Sequence, residues 1–460
     1  MGRHDLADQR AFAGGEKVFA LSDAVRLVRV IGPDALKLVS ALTTLPPGLG
    51  PPPGEALGAG GAGGGGAGCA EGLLLDGQGH ILFGFMAVAG ADQVTLFTDG
   101  SAEALAALLQ SRRFRLRASA QAQPGLKVAL LPGGAAAGLT ASGGPAADGR
   151  LADATGLTDG RRADGIGPAD GRLADATGPA DGRRADGIGQ IAVQDNWPGP
   201  PGPAAPGRYP RYALDEPHPG AGWRGLTACA YDPAERPALP ERLERLGYRR
   251  IDAAALEALR VAAWRPLASR EAADSKTLPH ELDWLRAAVP VNSGCYPGQE
   301  TVAKIVNVGK PPRRLVFLHL DGSDAALPRP GAAVIAVSGD RAAGGDAGAP
   351  GAVAARAAEA GEAAAGAGDG GAAEAGRPVG RVTSAGVHHQ LGPIALALVK
   401  RSLPEDAALA VAAEGAPGGL IAAAQTRIVP ASGESDARPA LRRTAPPKLA
   451  ARRRAGAANL

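Results

Sequence analysis

The chain has 460 residues, enough for two or three domains, but 68 glycines, 39 prolines and a 3% aromatic content leave long parts of it without the side chains that fill a core. A formal net charge of +3 excludes a general nucleic-acid-binding surface, and three cysteines far apart in sequence exclude a disulfide framework and indicate a reducing compartment. Because the chain also shows no secretory signal and no apolar run of the roughly 20 residues that span a bilayer, we expect a cytoplasmic protein with no membrane partner and no direct nucleic-acid partner.

The first structured block is predicted at residues 15–131, where strands and helices are mixed. RLVRVI at residues 26–31 predicts a strand, and Asp34 is a candidate N-cap for the helix that follows. The stretch LLLDGQGHIL joins two apolar runs through Asp-Gly-Gln-Gly, which is typical of a β-hairpin. VTLFT predicts another strand, and SAEALAALLQSRRF predicts a helix with Ser101 as its cap.

Four segments lack the apolar periodicity of packed elements and are predicted to lie outside the folded core. The first is a Gly/Pro loop at residues 46–70; its GAGGAG matches a dinucleotide-binding pattern, but no strand precedes it, so nucleotide binding is not expected. The second, residues 132–222, contains a near-identical tandem repeat and is predicted to be a disordered insertion. An Ala/Gly-rich insertion at residues 339–376 and a disordered basic tail at residues 431–460 complete the set.

Two further structured blocks follow the long insertion. Residues 223–310 hold helical patterns at 240–247, at 252–264 and in HELDWLRAAV, just before a cysteine motif. Residues 311–430 carry five apolar runs separated by turns, namely RRLVFLHL, AAVIAV, PVGRVTS, IALALVK and LIAAAQTRIV. Because strands and helices do not alternate as they do in a parallel sheet, the predicted fold class is α+β, with a C-terminal β-barrel-like domain and long disordered insertions.

The stretch VNSGCYPGQE at residues 291–300 places Cys295 in a constrained setting. The glycines on either side permit positive φ angles and close backbone approach, and Pro297 stiffens the turn. A reactive thiol needs a nearby cation or a helix N-terminus, and the closest basic residues in sequence, Lys304, Arg313 and Arg314, are not adjacent to it. From spacing alone, a working thiol and a small buried filler are equally good interpretations.

Other catalytic and metal-binding templates are absent from the sequence. It has no G-x-S-x-G elbow, no phosphate-binding Walker loop and no C-x-x-C pair. The adjacent His388 and His389 would face opposite sides of a strand, so we predict no metal site there. Three dispersed cysteines also fall short of the four thiolates that usually ligate an iron–sulfur cluster.

The residues from Gly294 to Glu300, GCYPGQE, resemble the signature of the YgfZ family, which comprises folate-binding relatives of the glycine-cleavage T-protein, an aminomethyltransferase. Further similar blocks occur in the family's order: LSDAVRLVRVIGPDAL, LLLDGQGHIL, ALEALRVAAWRP and GRVTSAGVHHQLGPIALALVKR. The resemblance covers somewhat over half of the chain. It implies three small domains in a ring around a folate-binding channel, and a role in assembly or repair of iron–sulfur enzymes with downstream effects on tRNA modification.

The resemblance also implies functions for particular residues. Cys295 is the position expected to carry the activity, and a tetrahydrofolate or related folate is the expected ligand. Arg260 and Arg314 match recurrent family arginines that would pair with the glutamate tail of the folate, because guanidinium forms bidentate bonds to carboxylate; a surface charge on a helix is the other interpretation of Arg260. The residues expected to shape the cysteine loop are Tyr296, Gly298, Gln299 and Glu300.

Two departures keep other functions open. The family lysine two residues before the cysteine is Ser293 here, so local stabilisation of a thiolate is weaker. T-proteins, by the same resemblance, carry an acidic pair after the hairpin, where this chain has Phe83 and Gly84. We therefore expect a folate-dependent accessory protein whose partners are iron–sulfur client or assembly proteins. The alternatives are a tetrahydrofolate-dependent aminomethyltransferase and a folate-binding module without chemistry.

Overall fold

The structure is a computed structural model, and it describes only part of the chain. The described residues are 3–46, 49, 69–90, 92–133, 191–194, 209–213, 218–222, 226–234, 238–290, 295–337 and 378–438. Nearly all of the predicted Gly/Pro loop, the whole tandem repeat, the Ala/Gly insertion at 339–376 and the tail beyond residue 438 lie outside these ranges, so their predicted disorder stays a prediction. In the described part of the chain, no helix has the length and hydropathy needed to cross a membrane.

The first sheet is antiparallel and carries two helices on one face. In spatial order its strands are β3 (Cys69–Leu75), β4 (Ile81–Ala89), β5 (Gln93–Thr98), β2 (Arg26–Ile31) and β6 (Ser119–Ala122). Helices α2 (Ala35–Leu42) and α3 (Ala102–Ser111) bury their leucines against it. The predicted β2 strand and β3–β4 hairpin are confirmed, and so is the Ser101 cap, whose hydroxyl accepts the Ala104 amide at 3.1 Å. Asp34 occupies the predicted N-cap position but makes no capping bond, because its carboxylate accepts the Arg117 amide at 2.8 Å instead.

The second sheet packs face to face on the first. In spatial order its strands are β10 (Arg249–Ile251), β1 (Val18–Ser22), β7 (Lys127–Pro132), β9 (Leu226–Tyr231) and β8 (Ile191–Gln194), of which only β10 and β1 pair in parallel. Because strand side chains alternate between faces, Val128 and Leu130 meet the first sheet, whereas Ala129 and Leu131 lie on the other face with Cys229. The helices of this part are α1 (Arg3–Gly14), α4 (Leu239–Arg245) and α5 (Ala254–Ala262).

The C-terminal strands close into a six-stranded barrel, which confirms the predicted barrel-like domain. In spatial order these are β11 (Arg313–Leu320), β14 (Gly392–Lys400), β13 (Pro378–His388), β12 (Ala333–Ala336), β15 (Leu409–Ala412) and β16 (Leu420–Arg427). Along β11, Val316 and Leu318 fill the barrel interior, while Leu315 and Phe317 point outward. The outward residues belong to a third hydrophobic region, in which the barrel meets the rest of the protein.

This third region, which we call the junction, is a buried cluster shared by the first sheet, the barrel and the helices and loops between them. It includes Leu75 and Ile81 of the first sheet, Trp264 after α5, Trp284, and Phe317 of the barrel. Three short helices border it: α6 (Ala268–Glu271), α7 (Leu285–Ala288) and α8 (Gln299–Asn307). The observed mixture of sheets, helices and barrel confirms the predicted α+β class.

One predicted helix is wrong. HELDWLRAAV forms a single 3₁₀ turn at Pro279–Leu282 and then the short α7, separated by Asp283 with a φ of 55°. A left-handed residue cannot continue a right-handed helix. The Asp283 carboxylate is held at this break because it accepts the Tyr212 amide and the Arg286 guanidinium, both at 2.6 Å.

The domain boundaries predicted from the sequence stay predictions, but short described pieces lie within the stretch predicted as a long insertion. Residues 191–194 form β8 at the edge of the second sheet. Tyr212 and Ala213 are buried in the junction. Within the predicted tail, Asp436 pairs with Arg211 at 2.7 Å. The long insertion therefore ends in residues that contribute to the core.

Candidate functional site

The cysteine motif forms a tight turn that leads into α8. The Gln299 amide donates to the Tyr296 carbonyl at 3.2 Å, and Gly298 has φ 80° and ψ 0°. Proline at the second position and a left-handed glycine at the third are the pattern of a type II turn. Local sequence therefore fixes the backbone at residues 296–299, directly after Cys295, as Pro297 and Gly298 predict.

This turn rests on the tip of the β3–β4 hairpin. A Cβ atom added to Gly298 would lie 2.5 Å from the Asp76 carbonyl oxygen and 2.7 Å from the Cα of Gly79, so no larger residue fits there. The hairpin tip is itself held by Asp76, whose carboxylate accepts the Gln78 and His80 amides at 2.8 Å and pairs with the His80 ring at 2.9 Å. Two rigid turns, far apart in sequence, thus support each other directly after the cysteine in the chain.

The side chains of the motif have different surroundings. Cys295 is a free, exposed cysteine, and Glu300 is exposed in the first turn of α8. Tyr296 is 5% exposed, and its hydroxyl has no hydrogen-bond partner. Burial raises the pKa of Tyr296, so the phenol stays protonated and can donate a hydrogen bond. Gln299 is half-buried, and Ser293 lies outside the described residues.

A polar cluster that the sequence interpretation missed lies in the junction. His280 is fully buried, its Nε2 donates to the Val302 carbonyl at 3.0 Å, and its Nδ1 has no partner. Burial lowers its pKa to about 4, so the imidazole is neutral at physiological pH. The Tyr212 ring lies edge-on to it at 6.0 Å, and the Tyr212 hydroxyl is also without a partner. No sequence pattern identifies this cluster, since Tyr212 lies in the stretch predicted as an insertion.

Arg260 is buried and fully committed to neighbours within the chain. Its Nε and Nη2 donate to Glu257 at 2.9 and 2.6 Å, and Nη1 donates to Glu271 at 3.2 Å and to the Arg265 carbonyl. Nη2 also donates to the hydroxyl of Ser384 on the barrel strand β13. All five guanidinium hydrogens therefore have acceptors, and Arg260 ties α5 to the barrel. Its predicted bond to a folate carboxylate would require one of these partners to be displaced.

Arg314, in contrast to Arg260, is buried with most of its hydrogen-bond donors unpaired. It is 0% exposed on the inward face of β11, and only its Nη2 is satisfied, by the Leu403 carbonyl at 3.0 Å and by Gln425 at 3.1 Å. Its Nε and Nη1 have no partner, and burial lowers its pKa. The structure therefore places the two predicted arginines in different surroundings, one at the junction and one inside the barrel.

At Gly84, where the resemblance implies an acidic residue, an aromatic ring fills the space. A Cβ atom on Gly84 would lie 2.8 Å from the Trp284 ring, whose indole nitrogen donates to Glu71 at 2.7 Å. One carboxylate does lie next to this position. Antiparallel pairing of Phe85 with Thr98 brings Asp99 beside Gly84, and the Asp99 carboxylate accepts the Ser269 amide at 2.7 Å. Burial, with the charge of Glu271, raises the pKa of Asp99 against the lowering effect of Ser269.

The residues present offer only individual polar groups to a folate. The Tyr296 hydroxyl and His280 Nδ1 are buried without hydrogen-bond partners, and they are a donor and an acceptor of the kinds that a pterin ring pairs with. The carboxylate tail finds no free guanidinium at Arg260. Among the described residues no group of three or more His, Cys, Asp or Glu side chains is arranged to hold a metal ion.

Comparison with known proteins supports the fold. No protein-family model matches the chain, and no curated protein matches it. Among solved structures it is similar to the glycine cleavage system aminomethyltransferase T from Bartonella henselae, with a TM-score of 0.52 and 16% sequence identity over 94% of this chain and 90% of that chain. The chain therefore has a fold of the aminomethyltransferase T type, as predicted.

Proposed function

We propose that this chain is a YgfZ-like, folate-binding accessory protein of the cytoplasm, which supports assembly or repair of iron–sulfur clusters and thereby affects enzymes that modify tRNA. Its working group is the Cys295 thiol, and its protein partners are iron–sulfur clients or assembly factors. Tetrahydrofolate, when bound, supplies a reduced pterin that carries one-carbon units.

The observation that carries this proposal is the setting of Cys295. The thiol is exposed, and it directly precedes a type II turn at residues 296–299 that is seated on the β3–β4 hairpin through Gly298. A thiol that only filled space would be buried, whereas one presented on a rigid support is suited to contact another molecule. The fold similarity to an aminomethyltransferase and the unpartnered Tyr296 hydroxyl favour a folate as the ligand beside it.

A second candidate function, tetrahydrofolate-dependent aminomethyl transfer, is favoured by one observation. Asp99 supplies a carboxylate of raised pKa next to Gly84, from the neighbouring strand rather than from the hairpin strand itself. A carboxyl group in this position can hold or accept a proton near a bound pterin. Trp284, which fills the space at Gly84, weighs against this candidate.

Two measurements on the full chain separate these functions. Calorimetric titration with tetrahydrofolate should show binding by the wild type and by Cys295→Ala, since the thiol is not a pterin contact in the proposal. In cells that lack the protein, the wild type should restore the activity of an iron–sulfur enzyme, and Cys295→Ala should not. Cys69→Ala, a change at a half-buried thiol outside the motif, is the matched control and should restore it.

The contrary outcomes are distinct. If tetrahydrofolate does not bind, both folate functions are abandoned. If Cys295→Ala restores full activity, the working-thiol proposal fails while the folate site stands. If the purified wild type transfers an aminomethyl group from a lipoyl carrier protein to tetrahydrofolate, and Asp99→Asn abolishes the transfer, the second candidate replaces the first.

A further inference from the structure

An exposed aromatic side chain is held out from the surface between α3 and β6. Residues 112–117, of sequence RRFRLR, form this segment, which we call the Phe114 loop. The Phe114 side chain is 86% exposed, more than any other large apolar side chain among the described residues. The same residue has a φ of 49°, in the left-handed region. A bulky residue in that conformation is uncommon and strained, and such strain is characteristic of functional positions.

The loop is not a flexible tip, because both of its ends are fixed. The Leu116 amide donates to the Arg113 carbonyl at 2.9 Å and closes a turn around Phe114. On the far side, the Arg117 amide donates to the Asp34 carboxylate at 2.8 Å. The carbonyl of Arg117 would lie 2.2 Å from a Cβ atom on Gly32, so the loop is packed closely on the turn before α2. The backbone that carries the phenylalanine is thus fixed before binding, which lowers the ordering cost of an interface at this loop.

Four arginines flank Phe114 in the sequence of the loop. Arg113, Arg115 and Arg117 are exposed and Arg112 is half-buried. Arg117 lies 3.5 Å from Asp34 with a side chain that is 78% exposed, whereas Arg112 and Arg115 have no ion-pair partner among the described residues. The surface therefore combines one protruding aromatic group with a local excess of positive charge.

We propose that the Phe114 loop is a docking site for a partner protein that offers an apolar pocket bordered by Asp and Glu side chains. Aromatic and arginine residues together dominate the binding energy of protein interfaces. A second apolar residue, Ile31, is 46% exposed at the end of β2, the strand that pairs with β6. Its aliphatic side chain can pack in a protein pocket but cannot stack on a nucleic-acid base. Phe114 and Ile31 together offer an apolar surface that a protein pocket can bury, and this site therefore favours a protein over a nucleic acid. The proposal is independent of the folate site.

The test uses the full chain with a photo-crosslinking residue, p-benzoyl-L-phenylalanine, incorporated at position 114 in cells. Crosslinked products are identified by mass spectrometry, the crosslinked protein is purified, and its binding to the unmodified chain is measured by calorimetry at two salt concentrations. We expect a protein crosslinked through a site flanked by acidic residues, and an affinity that falls as salt rises.

Two variants test the loop itself. Phe114→Asn should weaken binding at least about tenfold, and Arg115→Glu should weaken it about three- to tenfold and reduce its salt dependence. Asn adopts left-handed backbone readily, so Phe114→Asn should keep or raise the melting temperature, and lost binding would not reflect lost folding. Leu246→Asn, a change at another exposed apolar residue, is the matched control and should bind as the wild type does.

Three outcomes would overturn the proposal. They are the absence of any protein crosslink from position 114, crosslinks chiefly to RNA or lipid, and binding of the purified partner that Phe114→Asn leaves unchanged.

Discussion

Two cysteines of this chain occupy opposite kinds of surroundings, although neither takes part in a disulfide. Cys229 lies in the middle of β9, is 0% exposed, and packs with Phe19 and Leu131, and its burial raises the pKa of the thiol to about 12. Cys295 is exposed and directly precedes the type II turn at residues 296–299. The difference arises from the neighbours in sequence: an alternating apolar strand buries its cysteine, whereas a Gly/Pro turn presents it. A cysteine's role is therefore set by the backbone that carries it.

Alkylation should give the largest contrast between these two regions. In the native chain at pH 8, iodoacetamide should modify Cys295 at least about a hundredfold faster than Cys229, because the Cys229 thiol is enclosed and almost entirely protonated. Peptide mass spectrometry over a time course measures both rates in one sample. In denaturant the two rates should converge, and comparable rates in the native chain would contradict the contrast.

The rigidity of the turn predicts the next largest effect. Gly298→Ala should lower the free energy of unfolding by about 2–4 kcal/mol, because the added methyl group meets the hairpin backbone and the residue needs a positive φ. Gly247→Ala is the matched control, with a φ of 83° and nothing within 4 Å of the added atom, and should cost about 1 kcal/mol. Urea denaturation gives both values. Equal losses would mean that the turn does not rest on the hairpin.

Replacement of each thiol by a hydroxyl tests the same contrast in stability. Cys229→Ser should lower the free energy of unfolding by about 1–3 kcal/mol, because a hydroxyl becomes buried in an apolar cluster. Cys295→Ser should change it by less than about 0.5 kcal/mol, since the side chain is exposed. Thermal and urea unfolding of the pair provide the measurement, and a large loss in Cys295→Ser would show that its thiol is part of the packing.

Features set by near neighbours in sequence were predictable. The β2 strand, the β3–β4 hairpin and the Ser101 cap depend on residues within a few positions, and the turn at Pro297 likewise follows from its own composition. Asp283 shows where this reasoning fails. Its left-handed backbone is stabilised by the Tyr212 amide, which is 71 residues away, so no local pattern signals the break in the helix.

The contacts of the candidate site residues could not be predicted from the sequence. Arg260 was chosen as a charge for a ligand, but its acceptors Glu271 and Ser384 come from separate elements and leave it no free donor. The sequence predicts that Gly298 permits a positive φ and a close backbone approach, but its contact with Asp76 depends on the packing of the whole first sheet. Long-range contacts such as these require the fold to be known first.

The closed barrel has a practical consequence for engineering. Strands β12 and β13 are hydrogen-bonded neighbours, with Ile335 opposite Pro378, although 42 residues of sequence lie between them. The chain thus leaves the barrel and returns to it at almost the same place, and a turn of a few residues would suffice to join the strands. New chain ends, or a guest domain, introduced at this position would leave every barrel strand with both of its neighbours.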